Sequence, residues 1–443
     1  MVGLAALMAC AQILSLSDFR ACEGAECDAS TDASMSDAMM DVVQTTCATS
    51  STCPTASPVC SANVCVAVDT LSAGISEFQC AVLSDHTARC WGDGNSAAEL
   101  GNGQMVAAAA PVTVLNPNGT GPLMNIETIV TGLSYGCALT GLGEVYCWGS
   151  DPSAPGIYPT YVLNGATQIS GAAGVNPNQG SVCAILGSAS LVCWGFNADG
   201  RIGCTSSGVD DAGNCTFTPI SVPGSASLPV LGQASIVGAG TYVTCSSLDA
   251  YNAQCMGNNT YGEFGSGSYA TGCCSSGVAG FHNAPIVAIQ ASDQYMCAVD
   301  SSGYWWCWGW SRGGAILHVA PNATVSTPQL VSTDPPTFGG LTAGWAHACA
   351  IMAADGSVVC WGQNDHGQMG NGTADAGPPP MYQTTPATAT GLSNVKAVAA
   401  HRNFTCALNG DGQVYCWGQN PGSLLGAGSP TTDVLTPQLV KWD

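Results

Sequence analysis

Cys349-Ala350-Ile351, a short polar break, and then Gly356-Ser357-Val358-Val359-Cys360-Trp361-Gly362-Gln363-Asn364-Asp365-His366-Gly367-Gln368-Met369-Gly370-Asn371-Gly372 form the best-preserved copy of a unit that recurs through the chain. Working outward, the same order of cysteine, turn, apolar strand and Cys-Trp-Gly returns at Cys80/Cys90-Trp91, Cys137/Cys147-Trp148, Cys183/Cys193-Trp194, Cys297/Cys307-Trp308 and Cys406/Cys416-Trp417. Cys245/Cys255 repeats it with Met256 in the tryptophan position. Seven copies at a period of about 50 residues, each with room for several short strands, predict a seven-bladed β-propeller.

The cysteine spacing fits that prediction. Between Cys80 and Cys90 the midpoint falls at Asp85, in the polar turn Ser84-Asp85-His86. In an antiparallel hairpin centred there the two cysteines face each other directly, with Cα atoms about 4.5–5.5 Å apart. That is disulfide geometry, so one hairpin bridge per blade is expected. The four cysteines Cys47, Cys53, Cys60 and Cys65 lie in a segment too short for its own core and are expected to form two more bridges, although a zinc site has the same ingredients. Cys22/Cys27 and Cys204/Cys215 make local pairs, and Cys273 with Cys274 either join each other or cross-pair with Cys204 and Cys215.

Composition agrees with an all-β, turn-rich chain: 56 Gly, 24 Pro and only 8% charged residues in 443. Twenty-five cysteines without a single CxxC point to an oxidising, extracytoplasmic compartment rather than to metal clusters. The net charge of −22, with seven Lys and Arg in all, argues against nucleic-acid binding, which needs many cations on phosphates. Residues 1–17 read as a signal peptide or a lipoprotein signal, 18–46 as an acidic low-complexity stalk, 47–65 as the four-cysteine module and 66–443 as the propeller. Cleavage before a lipidated Cys10, giving a membrane tether, competes with cleavage near Ser17, and the missing basic n-region points to a start upstream of Met1. Most repeats carry a Pro-x-x-Val-like strand, blade 1 lacks one after the cysteine cluster, and Pro437-Gln438-Leu439-Val440 is expected to supply it, closing the ring and covering a sheet edge.

Gly344, His347, Cys349, Ala350 and Ile351, the segment Gly356–Gly362 and the Gly-Gln-Met-Gly-Asn-Gly loop closely resemble the repeat of the regulator of chromosome condensation. The resemblance covers roughly 66–443 and implies the propeller. The added cysteine pairs resemble its secreted bacterial branch. The founding member's exchange activity on a small GTPase and its chromatin binding do not carry over to a cation-poor chain of this compartment, so no GTPase partner is expected.

No catalytic, cofactor or metal site is expected. The six histidines do not cluster, and His347 stands in a column shared with Phe78, Tyr135, Tyr295 and Phe404, so it is expected to be structural. Asp210, Asp211 and Asn214 are the best acidic group for Ca²⁺, yet read more simply as a solvated loop. One aromatic run breaks the pattern: Trp305-Trp306-Cys307-Trp308-Gly309-Trp310. Trp308 is the repeat tryptophan and Trp305 a core position, whereas Trp310 replaces polar Asp93, Ser150 and Gln363, and Phe196 shares its column. Trp310, Phe196 and Trp306 are therefore the candidate binding residues of a monomeric recognition scaffold for a protein or glycan. A secreted propeller enzyme acting on polysaccharide and a structural surface component are the alternatives. Mass measurement with alkylation before and after reduction should show about twelve disulfides; mostly free thiols in the native protein would refute the oxidising compartment.

Overall fold

The structure is a computed structural model that describes residues 47–442 apart from 51–52, 55, 73, 94–96, 151–155, 173–179, 198–199, 203–229, 248, 270–275, 281–283, 332–337, 375–381, 424 and 429–431. Cys10, Cys22, Cys27, Cys204, Cys215, Cys273, Cys274 and the Asp210/Asp211 group lie outside the described residues.

Seven four-stranded antiparallel sheets follow one another around a ring, each with its strands in chain order. In blade 1 these are Val68–Leu71, Phe78–Leu83, Ala88–Gly92 and Ala108–Thr113. First strands of neighbouring blades lie against each other and line the channel, while fourth strands such as Thr324–Leu330 and Tyr382–Thr388 form the exposed rim. Each blade thus has two ends. One, here called the upper face, carries the turn between first and second strands and the loop after Trp-Gly. The lower face carries the hairpin turn between second and third strands.

Strands two and three are the hairpins that the cysteine spacing predicted. In blades 1 to 4, Cys80 stands opposite Cys90, Cys137 opposite Cys147, Cys183 opposite Cys193, and Cys245 opposite Cys255. In blades 5 to 7, Cys297 stands opposite Cys307, Cys349 opposite Cys360, and Cys406 opposite Cys416. Every one of these pairs is bridged. The Cα separation is 4.0 Å for Cys80–Cys90, Cys183–Cys193 and Cys245–Cys255. It is 4.1 Å for Cys137–Cys147, Cys297–Cys307, Cys349–Cys360 and Cys406–Cys416. The pairing agrees with the expectation, but the separation is a correction to it. All seven pairs are closer than the expected 4.5–5.5 Å and lie nearest the non-hydrogen-bonded kind of opposed pair, in which side chains approach most closely.

The expected closure of blade 1 by the C-terminal strand is not what the ring does. Val434–Leu439 is the fourth strand of blade 7 and pairs with Val414–Gly418. Blade 1 has its own fourth strand, Ala108–Thr113. The chain leaves Trp-Gly at the upper face and descends the rim before it can cross below to the next channel strand, so every blade completes itself. The seam between blades 7 and 1 closes through side-chain packing and through hydrogen bonds such as Arg402 N–H to the Ser76 carbonyl. Trp442 meets Trp91 edge-on at 5.6 Å, in one buried cluster with Leu71, Leu425 and Val440.

The four-cysteine module sits on this seam at the lower face. Its bridges, Cys47–Cys60 and Cys53–Cys65, tie the two strands of the hairpin Val59–Ser61 and Val64–Val66 to the segment before it. Buried Val59 and Val66 join the cluster of blades 1 and 7, so the module borrows a core that it cannot build. Arg89 donates to the Cys60 carbonyl at 2.9 Å, and Ser61 donates to Asp85 at 2.5 Å in the blade 1 hairpin turn. Trp442 is 6% exposed, so Trp442→Ala should cost about 3–5 kcal/mol. Chemical denaturation should show that loss; an unchanged midpoint would mean that the seam does not depend on this contact.

Candidate upper-face site

The upper face is built by two repeat positions, one whose backbone is fixed from the next blade and one whose backbone is fixed within its own. Trp345 N–H donates to the His401 carbonyl at 3.3 Å, and Arg402 N–H to the Ser76 carbonyl at 3.4 Å. Thr241 makes the same bond to Ser292. Trp310 lies at the end of Trp305–Trp310, its N–H bonded to the Gln294 carbonyl, as Phe196 bonds to Gly180 in blade 3.

On this frame a ladder of rings and guanidinium groups crosses from blade 4 to blade 1. Tyr261 stacks on Trp310 with centroids 4.8 Å apart and planes 13° apart. Arg312 lies 5.1 Å from the Trp310 centroid and 3.8 Å from that of Trp345. Arg402 lies 5.2 Å from Trp345 and donates to Glu77 at 2.8 Å. Arg312 donates to Asp293 at 3.1 Å. All the rings and both arginines are partly exposed.

The three candidate residues do not form one patch. Trp310 joins the ladder. Phe196 instead lies 5.2 Å from the guanidinium of buried Arg201, which also faces Tyr242. Trp306 stands further back on its strand and donates Nε1 to Asp300 at 3.1 Å, towards the lower hairpin turn. Tyr146 and Tyr415 reach Glu144 and Gln413 in the same way, so Trp306 follows its column. Sequence reasoning missed Tyr261, Arg312, Trp345 and Arg402. For Trp345 and Arg402 the signal was a large aromatic and a scarce cation in a turn column held elsewhere by Ser76, Leu133 and Thr241.

Two carboxyl groups lie beneath the ladder. Burial pushes Glu263 up to about 7, although Tyr261 N–H donates to it at 2.8 Å. Burial also raises Asp293 against the opposing pull of Arg312. Their side chains are not open to solvent: the residues are 1% and 6% exposed. The column of His347 is structural, as expected. Tyr135 and Tyr295 each donate to two carbonyls of the following blade, and His347 bonds Thr405 of blade 7 at 3.0 Å. Burial holds His347 down to about 4 and His401 down to about 3.

Within the chain, residues 341–368 and 355–408 match the family description "Regulator of chromosome condensation (RCC1) repeat". Protein pim1 of Schizosaccharomyces pombe is 28% identical over 169 residues, 35% of this chain and 31% of pim1. The ultraviolet-B receptor UVR8 of Arabidopsis thaliana is 23% identical over 251 residues, 56% of this chain and 53% of UVR8. The chain therefore spans about a third to a half of these relatives. Among solved structures, Prp20p of Saccharomyces cerevisiae superposes with a TM-score of 0.62 at 18% identity, over 85% of this chain and 87% of that one. Human WBSCR16 gives 0.59 at 15% identity, over 76% and 85%. Both likenesses show the fold.

The buried groups set an acid limit. The unfolded chain protonates His347 and His401 near 6.5 while the folded protein does not, so stability is full above that pH and falls from 6.5 towards 4. For His347 the loss amounts to about 3 kcal/mol. Glu263 acts oppositely, gaining about as much as pH falls from 7 to 4.5, and Asp293, also raised by burial, acts with it, so the histidine contribution is read by comparison with a variant. His347→Phe, the residue of blades 1 and 7, should therefore lose less stability than the wild type when denaturation midpoints are compared between pH 6.5 and 4. An unchanged acid limb in the variant would refute the assignment.

Proposed function

Since the chain belongs to the regulator of chromosome condensation repeat family, we propose that it is an extracytoplasmic scaffold that binds a protein through the upper-face ladder centred on Trp310 and Trp345. One observation carries this reading. Partly exposed Trp, Tyr and Arg, the residue types that dominate protein–protein hot spots, are gathered and held in fixed stacks at one end of the ring. A pyranose ring would want an open aromatic face, but Tyr261 and Arg312 already lie against Trp310, and two guanidinium groups lie over Trp345. This favours protein over glycan.

The crystal structure of Prp20p was described together with that protein's binding to Gsp1p and histones, and a further structure has Kap60 bound to Prp20. Binding of proteins by a propeller of this shape supports the reading; those particular partners are not carried over. Nine disulfides among the described residues support an oxidising compartment. No helix among the described residues is long and apolar enough to cross a membrane. The four-cysteine module, described from Cys47 onward, lies at the end of the ring opposite the ladder.

The non-enzymatic reading rests on burial. Glu263 and Asp293 would be the natural acid and base beneath an aromatic platform, yet both are enclosed and engaged by the fold. Trp310→Ala should cost only about 1–2 kcal/mol of stability, the worth of one aromatic stack and some burial. It should weaken a captured protein partner by about 2 kcal/mol or more. Surface-capture binding curves with the purified partner would decide; equal affinity of wild type and Trp310→Ala would refute the site.

A further inference from the structure

The ladder holds positive charge on a body that has almost none. The chain carries −22 overall, and Arg312 and Arg402 are two of its seven Lys and Arg. Their side chains are 29% and 35% exposed. Both guanidinium groups lie over Trp345, with the centroid distances given above. A stacked guanidinium keeps its N–H groups in the plane at its edge, where carboxylates are bound in paired, charge-assisted bonds.

Neither arginine is used up by its partner. Each spends Nη1 on one carboxyl group, Asp293 or Glu77, out of five N–H donors. Glu77 is itself exposed, at 43% of its side chain, so an incoming carboxylate can share or displace it. Asp293 is enclosed and takes only one of Arg312's donors, so the remaining N–H groups of Arg312 stay available at the guanidinium edge.

Resting on the reading of this face as a protein-binding surface, we propose that the ladder docks a carboxylate-rich protein segment, an acidic loop or tail, whose side chains pair with Arg312 and Arg402. The rest of the surface repels such a segment, so the two arginines decide where and in which register it lands. The flanking rings of Trp310, Trp345 and Tyr261 shield the pairs from water and strengthen them. A uronate-bearing polysaccharide presents the same carboxylates, but its sugar rings meet no open aromatic face here.

The test uses the full chain and labelled peptides of equal length, all-Glu and all-Gln, beside an oligogalacturonate of matched charge, with anisotropy read at low and physiological salt. The all-Glu peptide should bind and weaken with salt, and the all-Gln peptide should bind at least about tenfold less well. Arg402→Gln should cost the all-Glu peptide about tenfold or more with the melting temperature kept, and Arg402→Lys, which keeps charge but not the planar edge, should fall between. Arg312→Gln should act alike where it folds; Arg402 alone suffices if it does not. Equal binding of the two peptides, or binding untouched by Arg402→Gln, overturns the proposal. So does tighter, Arg402-dependent binding of the oligogalacturonate. A natural protein partner lost on Trp310→Ala but kept by Arg402→Gln also overturns it, while leaving the recognition face itself standing.

Discussion

The ring depends on one interblade contact, the indole of the repeat tryptophan set against the loop of the blade before it. Trp148 donates Nε1 to the Glu99 carbonyl, Trp308 to Glu263, Trp361 to Ala315 and Trp417 to Gln368, at 2.7–3.0 Å. The indole rests where the loop glycine has no side chain: a Cβ on Gly370, at φ +68°, would stand 2.7 Å from Trp417 Nε1. The loop is made to hold that shape. Asn259, Asn364 and Asn420 each accept the N–H five residues on, from Phe264, Met369 and Leu425, and those apolar residues then fill the core. Polar loop residues that look like a surface motif are thus the socket for the next blade.

Where the contact is altered, the neighbourhood changes with it. Trp194 is buried, but its Nε1 has no partner among the described residues, and the blade 2 loop that would face it is the one whose repeat sequence has decayed. Blade 4 offers Met256 in place of an indole, and the preceding loop carries Arg201 at the position of Glu99, Glu263 and Gln368. Its guanidinium turns to Phe196 and Tyr242. At the seam, Trp91 packs on Gly426 and Trp442. Without a shared strand, closure rests on this packing, on the bonds from His401 and Arg402 to Ser76 and Glu77, and on the disulfide module beneath.

The sequence made the blade hairpins legible to the residue. A bridge between directly opposed cysteines, such as Cys137 and Cys147 or Cys406 and Cys416, fixes register, and a slip of one residue would turn the two to opposite faces. Blade 4 shows how strong that signal is: Cys245 and Cys255 mark its hairpin even though Met256 has replaced the tryptophan. Blade number and the burial of Trp305 and of the His347 column were legible for a related reason: each is a repeated position with one environment. The C-terminal strand was misplaced because the sequence marks a proline-containing strand but not which edge it joins; that is set by the path of the chain from upper face to rim. Trp310 could be found as a break in its column. Arg312 and Trp345 could not be joined to it, since they belong to different repeat columns and meet only when adjacent blades are set side by side.

That last point explains how a repeat fold acquires an individual surface. Positions that hold blades together are constrained in every copy, by the indole socket, the bridged hairpin and the ring that bonds the next blade. Ser76, Leu133, Thr241, Asp293, Trp345 and Arg402 occupy one turn column of the upper face. At Thr241, Trp345 and Arg402 its backbone is bonded to the neighbouring blade, and the side chains of Trp345 and Arg402 reach solvent. Because the backbone bond from Trp345 to His401 and from Arg402 to Ser76 is made whatever the side chain, changing the residue alters charge and shape at the channel mouth with little cost to the fold. Blades 5 to 7 have used that freedom to set Asp293, Trp345 and Arg402 in succession. Buried acid, ring and exposed cation then stand one blade apart, close enough for Arg312 to reach the first two. The asymmetry of the face is thus a product of the symmetry of its support.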